Sequence, residues 1–359
     1  MGKPGTQGRP KEGHPSGKLQ LGIYWCASCG GCDIAVLDIN EKILDVAALA
    51  DIKLWPIALD FKYEDVRALP DKALDVSFIN GALRNSEQVE IVELLRKKSK
   101  TVVAFGSCAC WGGIPALANL FDRNQIFERV YGTSPSTVNP NRSVPALESR
   151  MPEGTLTLPT FYNTVYKLDD IIPVEYYLPG CPPPAELVAE AVDAIATGNL
   201  PPAGSVLAKE KALCDSCPRE RAEKKVTTFR RVHEVQPDPD RCLLDQGIIC
   251  CGPATRDGCG ARCLEANMPC RGCFGPTPEA VEQGAKMLSA VGSIIEGRDE
   301  AEIKRVAAQV VDPAGTFYRF GLAASLLHRS YQERSLKEGV ELDSRLDPTV
   351  VPTGKEAVT

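Results

Sequence analysis

Short apolar runs alternate with amphipathic stretches along the first half of the chain. The amphipathic stretches predict helices over Asp33–Ala50, Glu87–Lys98 and Ala185–Thr197. The apolar runs are rich in β-branched and aromatic residues, which favours β-strands. Those runs are Leu19–Trp25, Ile52–Ala58, Ala73–Asn80, Thr101–Phe105 and Val174–Leu178. This alternation predicts an α/β fold, a doubly wound parallel sheet with helices on both faces.

The regular alternation stops near residue 208. We therefore expect a first domain over residues 19–207, followed by a cysteine-rich module of loops and short helices over residues 208–277. Apolar residues at helical spacing in Pro278–Ile295 and Glu300–Val311 predict C-terminal helices within residues 278–334. The polar ends of the chain predict a disordered leader and a flexible tail. These ends are residues 1–18 and 335–359.

Composition narrows the function classes. The net charge of −6 gives no reason to expect binding to nucleic acid or to an anionic membrane. No apolar stretch approaches the ~20 residues that a membrane helix needs. The leader lacks the apolar core and the twin arginine of an export signal, which predicts a cytoplasmic location.

The cysteine count is high for a reducing compartment, where disulfides rarely persist. Fifteen cysteines in such a chain favour metal ligation over cross-linking. Because the chain has only three histidines, sulfur must supply nearly all the ligands, as in iron–sulfur clusters or zinc sites.

Four cysteines of the first domain follow predicted strands. Cys29 and Cys32 come after the first strand, Cys108 after the fourth and Cys181 after the fifth. Because ligands bind at the carboxyl ends of strands in open α/β sheets, these thiols are expected to converge on one site. Neighbouring glycines permit the sharp turns that such a cradle needs.

Nine further cysteines fall within residues 214–273, several of them in paired C-x-x-C units. Such pairs are a strong metal signal. Eight of these thiols with the first four would make three four-cysteine sites, leaving Cys26, Cys110 and Cys251 unassigned. Glycines beside the cysteines favour iron–sulfur clusters, with structural zinc as the alternative. The chain carries no dinucleotide or P-loop fingerprint, so several clusters together suggest an electron relay.

The motifs CGGCD, GSCACWGGIPALAN, LPGCPPP and CRGCFGP resemble the small, electron-transfer subunit of nickel–iron hydrogenases over roughly residues 19–330. The stretch IPALANLFDRNQIFERVYGTSPST is most similar to the cytoplasmic methyl-viologen-reducing type, which associates with heterodisulfide reductase. The resemblance implies a flavodoxin-like domain and a partner large subunit that holds the nickel–iron centre. It also implies an iron–sulfur adaptor subunit and heterodisulfide reductase as further partners.

The same resemblance implies three 4Fe–4S clusters, assigned residue by residue. The proximal ligands are Cys29, Cys32, Cys108 and Cys181. The medial ligands are Cys259, Cys263, Cys270 and Cys273. The distal ligands are Cys214, Cys217, Cys242 and Cys250. Exported relatives often have a proline in place of a fourth medial ligand. Here Cys263 is available, which predicts a four-iron cluster. The choice between Cys250 and Cys251 stays open, because a one-residue slip would exchange them.

The implied function is electron relay from dihydrogen oxidation in the partner, with no catalytic residue in this chain. Asp33 is a possible proton relay, although a carboxylate in the first turn of a helix is also favoured by the helix dipole. One alternative is the small subunit of a deazaflavin- or NAD(P)-linked nickel–iron hydrogenase. A complex I-like connecting subunit is another, but that class uses tandem cysteines and lacks the second module.

Overall fold

The computed structural model describes residues 17–222 and 225–327. Its strands are β1 (Leu19–Trp25), β2 (Ala50–Leu54), β3 (Leu74–Asn80), β4 (Leu83–Asn85), β5 (Ser99–Phe105), β6 (Glu148–Met151), β7 (Gly154–Thr157), β8 (Phe161–Tyr166), β9 (Tyr176–Leu178) and β10 (Ser205–Val206). Its α-helices are α1 (Gly31–Leu37), α2 (Ile43–Leu49), α3 (Tyr63–Ala68), α4 (Ser86–Lys98), α5 (Ser107–Trp111), α6 (Arg123–Phe127), α7 (Ala185–Thr197), α8 (Arg262–Glu265), α9 (Gln283–Gly292), α10 (Glu300–Ala307) and α11 (Pro313–Phe317).

Six strands form one parallel sheet in the order β10-β9-β5-β3-β1-β2. Numbered along the chain, these six strands have the flavodoxin-like order, in which the direction of winding reverses between the first and third strands. That reversal lies between β1 and β3, beside the first cysteines. The predicted α/β class with a doubly wound parallel sheet is confirmed.

Both faces of this sheet are covered, as the strand sequences require. Alternate residues of a strand point to opposite faces. Ile23 and Phe105 belong to the core shared with α1, α2 and α7, whereas Tyr24 and Ala104 belong to the core shared with α3, α4 and α5. The carboxyl ends of β1, β5 and β9 therefore meet at one edge of a sheet that is packed on both faces.

The predicted single helix over Asp33–Ala50 is wrong. Helix α1 ends at Leu37, a short 3₁₀ turn follows, and α2 begins at Ile43. Asn40 takes a left-handed backbone conformation with φ of 56°, which an α-helix cannot contain but which asparagine tolerates. Strand β2 likewise ends at Leu54, before Pro56, whose missing N–H cannot extend a ladder.

The C-terminal helices are shorter than their apolar periodicity predicts. Helix α9 begins at Gln283, and Val281, which was expected within the helix, is 90% exposed. Helix α10 begins at Glu300, after Asp299 accepts a hydrogen bond from the Glu302 N–H as an N-cap. Both helices pack against the cysteine-rich module.

The cysteine-rich module has its own hydrophobic core, which continues into the first domain. Ala82, Ala116 and Val165 from the first domain lie in the same buried cluster as Leu243 and Phe317. The predicted leader and tail fall outside the described residues, apart from residues 17 and 18. Among the helices that the structure describes, none is long and apolar enough to cross a membrane.

Candidate metal centres

The four cysteines of the first domain lie in the loops at the carboxyl edge of the sheet. Cys29 precedes α1, Cys32 lies in its first turn, Cys108 lies in the first turn of α5, and Cys181 follows β9. Burial raises the pKa of the Cys32 thiol, and the neighbouring thiols of the other three cysteines raise it further. Burial likewise raises the pKa of Cys108 to about 12, with contributions from Cys181 and Cys29. The fold thus brings this predicted set together.

Two glycines leave room for these sulfurs. Gly106, with φ of 84°, lies so close to the Cys32 Sγ that a Cβ at this position would collide with it. A Cβ on Gly113 would lie 2.6 Å from the Cys108 Sγ. Two sulfurs therefore lie against bare backbone. Such close backbone approach suits a bulky inorganic group held by short loops.

Asp33 lies directly after Cys32 and is fully buried. Its Oδ1 accepts a hydrogen bond from the Trp55 indole N–H at 2.9 Å, and its Oδ2 accepts one from the Asn80 side-chain amide at 2.9 Å. These donors come from the carboxyl ends of β2 and β3, so the carboxylate fixes the start of α1 to the sheet. Its role as a proton relay remains a prediction.

Four cysteines of the second module line one cavity. They are Cys214, Cys217, Cys242 and Cys250. The Cys250 thiol accepts a hydrogen bond from the Cys270 N–H at 3.3 Å and another from the Gly252 N–H. Gly252 lies beneath the set, because a Cβ there would be 3.1 Å from the Cys214 Sγ.

The remaining four cysteines of the second module lie between that cavity and the sheet edge. They are Cys259, Cys263, Cys270 and Cys273. Burial is the main cause that raises the pKa of Cys273 to about 12, followed by the nearby thiols of Cys259, Cys181 and Cys263. Cys273 also influences Cys270, whose pKa burial raises well above its usual value. The loop that carries Cys270 and Cys273 is held by Gln283, whose side-chain amide donates to the Gly272 carbonyl at 3.0 Å.

Comparison with known proteins places this arrangement in a family. The family described as NADH ubiquinone oxidoreductase, 20 Kd subunit, matches residues 29–195. The iron-sulfur subunit of the F420-non-reducing hydrogenase from Archaeoglobus profundus is 41% identical over 317 residues, which are 87% of this chain and 98% of that protein. The chain belongs to the family of F420-non-reducing hydrogenase iron-sulfur subunits.

Two further hydrogenase proteins are similar to this iron-sulfur subunit. The corresponding subunit of the F420-non-reducing hydrogenase from Methanothermobacter thermautotrophicus is 39% identical over 326 residues, 88% of this chain and 98% of that protein. A chain of a solved NAD⁺-reducing [NiFe]-hydrogenase in the H2-reduced state is 29% identical and covers 50% of this chain and 92% of its own length, with a TM-score of 0.44.

Membership of this hydrogenase family favours iron–sulfur clusters as the groups that these cysteines bind. Thiolates are the ligands that iron–sulfur clusters use, and glycine beside them lets backbone N–H groups approach sulfur. The three groups of cysteines fit that chemistry. Within residues 17–222 and 225–327, no three His, Cys, Asp or Glu side chains form a group that could hold a single metal ion.

The unassigned cysteines of this hydrogenase subunit have other partners. The Cys110 thiol donates to the Ala104 carbonyl at 3.3 Å inside the first-domain core. Cys251 donates to the Thr316 carbonyl at 3.8 Å. Cys26 is buried in the core beneath the sheet edge, and burial raises its pKa. None of the three thiols lines the cavity that Cys250 shares with its neighbours.

Trp111 is a residue that sequence reasoning missed. It stacks on Tyr177 with ring centroids 5.9 Å apart, and a Cβ on Gly275 would lie 2.5 Å from its indole nitrogen. That nitrogen is buried and has no hydrogen-bond partner among the described residues. The available signal was an indole inside the motif CACWGG, because a buried tryptophan N–H usually has a hydrogen-bond partner.

Proposed function

We propose that the chain is the electron-transfer subunit of a nickel–iron hydrogenase and holds three 4Fe–4S clusters. Electrons from dihydrogen oxidation in a partner subunit would pass to an acceptor such as a heterodisulfide reductase complex. One observation carries the proposal: backbone hydrogen bonds link each cysteine set to the next. These bonds support a relay in which electrons pass from the proximal set to the medial set and then to the distal set.

The first link joins the proximal and medial sets. The backbone N–H of Cys181 donates to the thiol of Cys273. Ser107, the neighbour of Cys108, donates from its hydroxyl to the Cys273 carbonyl at 2.6 Å. These contacts join residues from the two modules.

The second link joins the medial and distal sets. The Cys270 N–H donates to the Cys250 thiol at 3.3 Å, and the Cys251 N–H donates to the Cys270 carbonyl at 2.9 Å. The medial set therefore touches both others.

Bound clusters would supply one-electron redox chemistry at each set. The chain's own residues hold the sulfurs and stabilise their negative charge. Backbone N–H groups do so at Cys250, as described, and at Cys259, whose thiol accepts hydrogen bonds from Ala261 and Arg262. Cys32, Cys250 and Cys270 are buried as well, and hydrogen bonding and burial together set cluster potentials.

A partner subunit is expected to cover the proximal edge. Cys29 and Cys181 are exposed at this edge. Apolar side chains beside it are also exposed, among them Trp25 at 40%, Ile34 at 53% and Leu37 at 49%. An exposed apolar surface of this kind marks a protein contact. The relatives are named as hydrogenase subunits, so we assign this surface to the large subunit with the nickel–iron centre.

The names of the relatives bear on the downstream electron acceptor. The names of the relatives state that they do not reduce F420, a deazaflavin, which disfavours a deazaflavin-linked enzyme. An iron–sulfur adaptor subunit with heterodisulfide reductase, in the cytoplasm, remains our proposal for this chain. An NAD(P)-linked complex is the second candidate, favoured by a 26% identical subunit of an NAD-reducing hydrogenase from Cupriavidus necator that covers 51% of this chain.

Replacing one proposed proximal ligand tests the relay. In the purified complex, Cys181→Ser should alter the proximal signal and reduce the dihydrogen-dependent reduction of the other two clusters to background. Dithionite, which can reach them directly, should still reduce these clusters. Electron paramagnetic resonance after each treatment provides the measurement.

Cys26→Ser is the matched control for that experiment. It changes a buried cysteine near the same sheet edge that packs in the core, so all three signals and their reduction by dihydrogen should persist. Reduction of the medial and distal clusters at the wild-type rate in Cys181→Ser would contradict the proposed order.

A further inference from the structure

A basic cavity of about 150 Å³ lies in the second module, and no cysteine lines it. Its charged lining residues are Arg230, Arg231, His233, Arg271, Arg319 and Asp312. The whole chain carries a net charge of −6, so a cavity in which four arginines and a histidine face one carboxylate departs from the rest of the molecule. Like charges held this close repel each other unless an anion neutralises them.

Little inside the described chain offsets these charges. Asp312 already accepts a hydrogen bond from the Gly315 N–H at 2.9 Å, and Arg319 donates to the Gly315 carbonyl at 2.9 Å. Glu234 lies 4.0 Å from His233 and accepts the backbone N–H of Arg231. In residues 17–222 and 225–327, the guanidinium groups of Arg230, Arg231 and Arg271 have no hydrogen-bond or ion-pair partner.

The cavity borders two of the proposed cluster sites. Arg271 stands between Cys270 and Cys273 in sequence, and Ile249, which also lines the cavity, directly precedes Cys250. An electron acceptor seated here would lie beside the medial and distal sets. The cavity is too small for a nucleotide but can admit one or two carboxylates.

The rim favours side chains of a protein over a free anion. Arg230, Arg231 and His233 are exposed at the rim, while Arg271 is half-buried. Val311, which also lines the cavity, is 61% exposed. Apolar surface between arginines suits the aliphatic stems of glutamate or aspartate, whereas a hydrated ion gains nothing from it.

We propose that this cavity docks carboxylate side chains of an acidic electron-accepting protein. The inference rests on the proposed relay and adds the chemistry of its acceptor. Opposite charges steer encounter and fix orientation at such a surface, and the rate then falls as salt screens them. Elsewhere the negative chain repels an acidic partner, so docking is directed to this face.

Steady-state kinetics of the dihydrogen-oxidising complex test the inference. The probes are a small, strongly acidic ferredoxin and methyl viologen, a small cation that does not need a docking site. The double variant Arg230→Gln, Arg231→Gln should raise the KM for ferredoxin roughly five- to tenfold at low ionic strength, because two exposed charge pairs are lost. The salt dependence of this KM should also become shallower, and methyl viologen reduction should not slow.

Arg298→Gln is the matched control, since the Arg298 side chain is 90% exposed and pairs with Glu302, four residues further along the chain. Inorganic phosphate, compared with chloride at equal ionic strength, should compete with ferredoxin in the wild type and not in the double variant. Equal ferredoxin KM and salt dependence in the double variant and in Arg298→Gln would overturn the inference. So would phosphate that slows ferredoxin and methyl viologen alike, which indicates a small-anion site. If the wild-type complex did not reduce methyl viologen with dihydrogen, that result would instead refute the relay.

Discussion

Cys250 and Cys251 are adjacent in sequence, yet their thiols have different surroundings. The Cys250 Sγ accepts hydrogen bonds from backbone N–H groups in the cavity that it shares with three other cysteines. The Cys251 Sγ contacts the Thr316 carbonyl, and Arg271 and Arg319 lie near it. One thiol is available to a cluster, and the other belongs to the packing behind it.

A pair of alanine variants separates the two roles. Cys250→Ala should remove the distal signal and about four irons, the content of one cluster. Cys251→Ala should keep the full iron content and lose roughly 1 kcal/mol of unfolding free energy, the order of cost of deleting a buried methyl-sized group. Iron analysis and denaturant titration of both variants provide the measurements. Iron loss from Cys251→Ala but not from Cys250→Ala would reverse the assignment.

Single residues show where sequence reasoning reaches its limit. Cys29, Cys108 and Cys181 could be grouped because each follows a strand of one parallel sheet, and the sheet has those strands in place. The partners of Asp33 could not be predicted, because Trp55 and Asn80 reach it from other strand ends through tertiary packing. The contact of Trp111 with Gly275 could not be predicted for the same reason, because Gly275 belongs to the other module.

At the scale of elements, the β6–β7 hairpin stands out. Residues alternate between its faces, so Leu147, Met151, Leu156 and Leu158 share one face. These four side chains are 46–62% exposed. An isolated two-stranded hairpin is marginally stable in water, and an exposed apolar face adds to that cost. The hairpin leads into β8, which pairs with β4 beside the carboxyl end of β3. We therefore expect the partner at the proximal edge to cover it.

Two variants on opposite faces of the hairpin test this contact. Leu156→Glu should weaken binding to the purified large subunit about tenfold, since burying one leucine contributes roughly 1.5–3 kcal/mol. Thr157→Glu places the same charge on the polar face and should bind within about twofold of the wild type. Dissociation constants from sedimentation give the comparison. Wild-type affinity in both variants would exclude the hairpin from the interface.

Elements also differ in how well the pattern predicts them. Strand β1 and helix α7 begin and end where the periodicity indicates. The β4–β8 pair was missed because its strands are short and bounded by irregular chain. The β6–β7 hairpin was missed because its strands are short and have no buried face. The broken helix at Asn40 was missed because apolar spacing alone does not reveal a left-handed residue.

The whole molecule joins two modules through their cysteine loops. Besides the contacts of Cys273, the Gly113 N–H donates to the Phe320 carbonyl at 3.1 Å, and Arg262 forms an ion pair with Glu186 at 2.6 Å. A sequence can indicate that a chain has two modules, but not which cysteines meet across them. The proposed relay order depends on that junction and therefore could not come from spacing alone.

The central claim is that the chain holds three 4Fe–4S clusters. Iron, acid-labile sulfide and zinc analysis of the anaerobically purified chain, combined with Mössbauer spectroscopy, tests it most directly. At four irons per cluster, the account predicts about twelve irons and a similar amount of sulfide per chain, all in cubane-type clusters. Stoichiometric zinc without iron, or about four irons in a single cluster, would contradict it.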